Sequence, residues 1–526
     1  MASLLLPPEI LLMILEEIIK EERTLWYYTP TGDGKCYNIS RLATVCRRWQ
    51  PVVEEYTFKH LVLGEATIPT FQMAISSRPM RLRCVEHIWL RIELPEYGCD
   101  VCGTEESEET AEAFYQRNNQ IFSSCISNLF GVLSCWKPEI HGCSRHISRG
   151  LTLEICAISP SDNGHCFYSC TSEAKYPFLT EEDLDKTPNL GEYHHDCDAR
   201  RTSGSECHIK HGAEFLGQVK RVYGTALRLL PGADALKKAP IVKGLLLRRS
   251  AYRSIHPASL AQILEQSLMA LEWLRLERRH AVDSEKESAF IQDFIHRLMP
   301  ALPSSLKGLF LTQDTIPTFG SARLSFTQSE ELARAITGSS ASSQLSDFCA
   351  GYQLHATAFL ISVAFSTIKW NNLQRMCLRS TEFSKEDLSS DYVQIAIYDA
   401  AQAARNLPNL RLMEIFGSHR SGTACLLRYE VQQNQAALTW RVGGGKYVPV
   451  DDQALELWEG VPAFHGINLP LQINEQPLLE SSDEIQDSHF DRFLYQRLEL
   501  KNHIWDPVTM AQIENERREM AKLGLS

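Results

Sequence analysis

The residues with the plainest capacity for chemistry are thiols and imidazoles. Cys99-x-x-Cys102 has zinc-knuckle spacing, and Cys135, His141, Cys143 and His146 follow it in the chain. Two thiolates at that spacing suit tetrahedral zinc because a single turn brings both to one side. A second Cys-x-x-Cys at a fixed offset is missing: Cys166 and Cys170, or Cys197 and Cys207, are only loosely spaced. The expectation is free thiols, with no metal site and no cofactor. Gly443-Gly444-Gly445-Lys446 is glycine-rich but lacks the Gly-x-x-x-x-Gly-Lys-Ser/Thr order that cradles phosphate. No Gly-x-Ser-x-Gly elbow, His-Glu-x-x-His pair or dinucleotide fingerprint occurs. The chain therefore reads as a binder and not as an enzyme, and no catalytic residue is assigned.

Composition narrows the class of partner. The 526 residues carry 53 Lys+Arg against 65 Asp+Glu, a formal net charge of −12. Over most of its surface such a chain repels a phosphate backbone, so nucleic acid is not expected as a partner. A hydrophobic fraction of 44% and a charged fraction of 22% are those of an ordinary globular protein. The longest nearly apolar run, 356–368, is too short to span a bilayer and reads as core. The start, Met1 to Leu6, lacks the basic segment of a secretory signal and runs straight into Pro7-Pro8-Glu9. With sixteen cysteines, well below the density of a disulfide scaffold, the expected setting is cytoplasmic or nuclear, with reduced and mostly buried thiols.

The elements that position a binding surface begin at the N-terminus. Pro8 suits the first turn of a helix, where its missing N–H has no intrahelical partner to lose. Ile10, Ile14, Ile18 and Leu11, Leu15, Ile19 make two adjacent i, i+4 rows, with Leu12 and Met13 outside them. After a turn-rich loop, Ile39, Leu42, Ala43, Cys46 and Trp49 signal a second helix, and Pro51 opens a third through Val52, Val53, Tyr56 and Leu61. Three helices in about sixty residues form a marginal core. They carry more apolar surface than they can bury alone.

Leu6-Pro7-Pro8-Glu9-Ile10, Ile14-Leu15 and Val45-Cys46-Arg47-Arg48-Trp49 resemble the F-box, the helical module that docks on the Skp adaptor of cullin-based ubiquitin ligases. The resemblance implies that Leu6, Pro7, Ile10, Ile14, Leu15, Val45, Cys46 and Trp49 form the adaptor-binding surface. The loop 22–38 departs from the pattern, being roughly a dozen residues longer than usual, which leaves the placement of the first two helices open. The alternative for this segment is a helical cap over the end of the next domain.

The body of the chain carries a repeat. Leu-x-x-Leu-x-Leu occurs as Leu271/Leu274/Leu276 and Leu306/Leu309/Leu311, then as Leu373/Met376/Leu378 and Leu410/Met413/Ile415. Leu345/Phe348/Ala350 sits where one further copy belongs, and 88–92, 151–155 and 242–247 are apolar runs without the full frame. Helical stretches such as 256–268 and 290–298 lie between. A strand then a helix every 30 to 40 residues implies an α/β array of parallel strands, resembling the irregular leucine-rich-repeat-like solenoids that follow the F-box in many fungal proteins.

The stretches near 93–150 and 156–241 do not fit the period and read as insertions projecting from one end. They contain acidic runs and His194-His195-Asp196. From Cys425 strict alternation on both sides of Gln432-Gln433-Asn434-Gln435 predicts an antiparallel hairpin that covers the last strand. Leu500 and Ile504 suggest a final strand before a helix opened at Pro507. The expected organisation is a helical module over 1–65, a solenoid over 66–423, and a hairpin with a closing strand and helix over 424–526. The expected function is that of a non-catalytic substrate receptor, joined through the adaptor to a cullin and binding a target protein by its solenoid. A scaffold with a merely structural cap is the second expectation.

Overall fold

Every copy of the leucine frame folds in the same way: its first position lies in the turn before a strand, and its other two fall on one face of that strand. The computed structural model describes residues 7, 9–18, 39–97, 108–136, 150–160, 225–230, 235–249, 251, 253–279, 284–314, 325–388, 391–419, 423–443, 448–478, 490–511 and 513. Twelve strands form one open sheet in chain order. They are β1 (His60–Leu63), β2 (His87–Glu93), β3 (Leu151–Ile158), β4 (Val242–Leu247), β5 (Trp273–Arg279) and β6 (Gly308–Asp314). Then come β7 (Asp347–Leu354), β8 (Arg375–Ser380), β9 (Leu412–Ser418), β10 (Ala424–Gln432), β11 (Gln435–Gly443) and β12 (Gln472–Pro477).

β1 to β9 are parallel throughout. The frame positions are in register: Leu274, Leu309, Phe348, Met376 and Met413 pair in one row and Leu276, Leu311, Ala350, Leu378 and Ile415 in the next. The first row extends back through Leu245, Leu153 and Ile88 to Leu61. Because side chains alternate along a strand, a shared register puts all these residues on one face. Beyond the N-terminal helices α1 (9–18), α2 (Ile39–Leu42) and α3 (Trp49–Lys59), that face is covered by α4 (Ile68–Ser77), α5 (Glu108–Leu133), α6 (Pro257–Gln266), α7 (Ser284–Asp293), α8 (Phe326–Gly338), α9 (Ala356–Ala364), α10 (Asp391–Arg405) and α11 (Asp452–Glu459). Local sequence sets their starts. Ser325 and Gln328 close a reciprocal capping box at α8, and the Asp451 side chain accepts from the Gln453 N–H at α11. Together they enclose one core running from Leu63 to Ile467.

Several expectations need correction. Residues 108–136 are not part of a projecting insertion. α5 supplies Phe122, Ile126, Leu129, Phe130 and Leu133 to the core, all within 1% exposure, as the helical half of a strand–helix unit between β2 and β3. The boundaries at 65 and 424 also vanish into the sheet, since β1 begins at His60 and β10 continues from β9. The hairpin forms as expected, with β10 antiparallel to β9 and β11 and with Gln433 and Asn434 at φ 46° and 67° in the two-residue turn. It is not the edge, however. β12 pairs parallel to β11 beyond it, and its residues 472–476 are exposed. Leu500 and Ile504 do not lie in a strand: 490–511 fold as short helical turns, α12 (Phe490–Arg497), α13 (Lys501–Ile504) and 507–511. The run 356–368 is partly core as expected, with Phe359 and Leu360 fully buried in α9, but Phe365 is 80% exposed. Among the described residues no helix is long and apolar enough to cross a membrane.

Candidate functional site

The N-terminal helices gather around a small core of their own. Leu15, in the helical segment 9–18, and Val53, in the helix Trp49–Lys59, are buried to 1% and 0%, packed by Ile39, Leu42, Ala43, Trp49, Val52 and Tyr56. The second helix is shorter than its periodicity predicted. It covers only Ile39–Leu42, with turns over 43–48, and Leu61 belongs to β1 and not to the third helix. The module joins the sheet through a polar hinge. Glu54 accepts hydrogen bonds from Arg81 and Gln50, each at 2.8 Å, with Arg78 3.6 Å away, and Arg81 lies 5.1 Å over the Phe58 ring. Burial pushes the Glu54 carboxyl up, but the hydrogen bonds and charge of Arg81, with Gln50 and Arg78, outweigh it and hold it below its usual value.

That small core leaves an apolar remainder in water. Ile10 is 39% exposed, Leu12 47%, Met13 59% and Val45 61%. Of the eight residues singled out by resemblance, Pro7, Ile10, Val45 and Cys46 are exposed, Ile14 and Trp49 are half-buried and Leu15 is enclosed. Leu6 lies outside the described residues. So do Cys99, Cys102, His141, Cys143, His146 and the His194–Asp196 triplet. Cys135 is an exposed free thiol, and among the described residues no group of three or more His, Cys, Asp or Glu side chains is arranged to hold a metal ion.

The second face of the sheet holds a feature with no counterpart in the sequence reading. Between the two buried frame positions, β5, β6 and β9 carry Arg275, Phe310 and Glu414, in a row continued by Arg428 on β10. Glu277 and Thr312 pair one step further along β5 and β6. Charged residues there would be orphaned under an apolar cover. Instead the segment 490–513 crosses this face from β10 back to β5, and the sheet's polar side chains bind its main chain. Arg428 donates to the Arg497 carbonyl at 2.5 Å while pairing with Glu414 at 2.7 Å. Glu414 accepts the N–H groups of Glu499 and Leu500 at 3.1 and 2.8 Å. Arg275 donates to the Asn502 and His503 carbonyls at 2.6 and 3.4 Å. Thr312 donates to the Ile504 carbonyl, and Glu277 accepts from the Asp506 N–H and the Thr509 hydroxyl. Burial raises both Glu277 and Glu414, against the lowering charges of Arg275 and Arg428 respectively.

Between these polar contacts lies an apolar seam. Cys349, Cys377, Phe416 and Leu426 of the sheet pack with Leu494, Tyr495, Leu498, Leu500, Ile504 and Trp505 of the segment. Burial keeps the Cys377 thiol well above its usual range, as a protonated and unreactive side chain.

A further polar cluster sits past the ends of β7 and β8. Glu382 accepts from the Ala356 N–H at 3.1 Å, Thr357 at 2.5 Å and Ser380 at 2.7 Å, with His355 3.4 Å away. Burial pushes this carboxyl up, yet the hydrogen bonds from His355, Thr357 and Ser380 bring it down to about 2. Part of this acceptor capacity serves the N-terminus of α9, whose first residues are Ala356 and Thr357, and the rest is taken up by Ser380 and Thr381 at the end of β8.

Residues 301–506 match the model of a family described as a family of unknown function (DUF6546). The match covers β6 to β12 and most of the crossing segment, so strands and segment fall within one unit. No curated protein matches the chain.

Proposed function

We propose that the chain is the substrate receptor of a cullin-type ubiquitin ligase, docking on a Skp-type adaptor through residues 7–59 and holding a target protein on its strand–helix array. One observation carries this reading: Ile10, Leu12, Met13 and Val45 remain 39 to 61% exposed although Leu15 and Val53 beneath them are enclosed. A cap evolved only to cover the end of the array would turn those side chains inward. Here the helices bury one face on themselves and hold the other out. Covering an apolar side chain of that size contributes about 1.5–3 kcal/mol, so a few of them suffice for a specific interface. On this reading the long open sheet with its repeated frame is an irregular leucine-rich-repeat-like solenoid. Such a receptor supplies proximity and orientation while bond making is left to other subunits.

Ile10→Asp combined with Val45→Asp tests the docking. Both side chains are exposed, so the fold tolerates the charges, while an apolar interface does not. Wild type is expected to co-purify with the adaptor and the double variant to lose it by at least about 100-fold, more than 2.7 kcal/mol. A wild-type chain that never retains adaptor ends the proposal. The competing reading, a scaffold capped by its own helices, has its support in Phe58 and Leu61, which pack against the main core.

A further inference from the structure

The segment 490–513 is attached to the sheet in an unusual manner. Its backbone-to-backbone hydrogen bonds among the described residues are local, such as Leu498 to Tyr495, His503 to Leu500, Trp505 to Lys501 and Met510 to Asp506. None joins a strand ladder. What holds it are chiefly side chains of the sheet reaching its backbone, namely Arg275, Glu277, Thr312, Glu414 and Arg428, plus one apolar seam and a side-chain pair of His503 with Asp347 at 3.0 Å. Reading a peptide by its main chain is how a groove accepts polypeptide without requiring one fixed sequence; pockets for a few side chains then add selectivity. Both parts are present. Ile504 and Trp505 are buried to 0% and 3% in the seam, and the Asp506 carboxylate lies 3.3 Å from Arg248.

The polar row also has a reason to favour an exchangeable occupant. A permanent cover is served as well by apolar residues at these mid-strand positions, without the desolvation cost of buried ions. Charged groups regain water when the cover lifts, so the uncovered face stays soluble. We propose that the sheet face from β5 to β10 is a polypeptide-binding groove, with 490–513 its occupant in cis. In trans it takes a protein segment bearing an aliphatic–aromatic pair followed by an acidic residue, as in Ile504-Trp505-Asp506. The assignment of that segment to a ubiquitination target rests on the receptor reading above. The groove itself does not.

The test uses the full-length chain and a fluorescent synthetic peptide of residues 490–513. Wild type, with its groove filled, is expected to bind the peptide weakly. Ile504→Ala with Trp505→Ala loosens the cis occupant and is expected to tighten peptide binding at least about 30-fold. Adding Glu414→Gln to that variant should reverse the gain, and a peptide with both anchors replaced by alanine should not bind. If the loosened chain keeps its sheet, judged by circular dichroism and by amide protection of the frame strands, and still takes up no peptide, the segment is a fixed structural cover and the proposal is overturned. Should the double substitution unfold the chain, Thr509→Ala, which removes the hydroxyl bond to Glu277 and one buried methyl, replaces it. A gain of several-fold then supports the groove and no gain overturns it. Adaptor retention measured on the same variants reports on the receptor reading separately, since none of these substitutions touches residues 7–59.

Discussion

Asp399, on α10, is 9% exposed, and its Oδ2 makes no hydrogen bond among the described residues. Burial, then the neighbouring charge of Glu382, raises its carboxyl to about 6. In the unfolded chain the same group titrates near 4. A raised folded value means that the native state holds the proton more tightly. The stabilisation is complete below about pH 4 and is lost as pH rises through 6. Asp399→Asn removes the titration. Its melting temperature relative to wild type should therefore improve between pH 4.5 and pH 7.5, and a difference that stays flat over that range would show that Asp399 ionises freely in the fold. At this scale the sequence was partly legible. The buried frame leucines announce themselves by spacing, whereas the frame leaves the positions of Arg275 and Glu414 unspecified. The missed signal was a charge at mid-strand between two buried aliphatics, which requires a polar partner on the opposite face of the sheet.

Among the elements, the five strands β5 to β9 were the most legible because one frame recurs in register and each copy must bury the same two positions. Their cost of disruption is correspondingly local and large. Leu309 is fully buried between Leu274 and Phe348, and Leu309→Ala should destabilise by roughly 2–5 kcal/mol through lost transfer and a residual cavity. Denaturant unfolding measures it, and a loss under about 1 kcal/mol would mean that the rows do not carry the core. α5 was hidden by the absence of a frame nearby, although Phe122, Ile126, Leu129 and Leu133 keep helical spacing. β12 was hidden for the opposite reason: Gln472–Pro477 is an exposed edge with almost no apolar pattern to read. The crossing segment was taken for a strand and helix because Leu500 and Ile504 are apolar. What fixes its path is main-chain hydrogen bonding to distant side chains, and that leaves no periodic trace.

At the scale of the molecule, two of the hydrophobic clusters among the described residues differ greatly in size and adjoin the first strand. One runs from Leu63 to Ile467, and the other is the cluster of Leu15 and Val53 with its half-buried neighbours. Between them stand Phe58, Leu61 and the hinge of Glu54 with Arg81. Separate cores open separately when few apolar contacts join them. A cap integral to the array and a docking module carried by it therefore differ in how far damage spreads. Leu15→Ala removes the centre of the small core and nothing from the large one. If 7–59 act as a carried module, amide exchange in that segment should accelerate by at least about tenfold while the β5–β9 amides keep their protection and the main thermal transition moves by no more than about 2 °C. If the helices are instead the seal on the end of the array, the same substitution exposes the first strands, and the main transition falls with it. The exposed side chains of Ile10 and Val45 favour the first outcome, because a seal has no use for apolar groups that face away from what it covers.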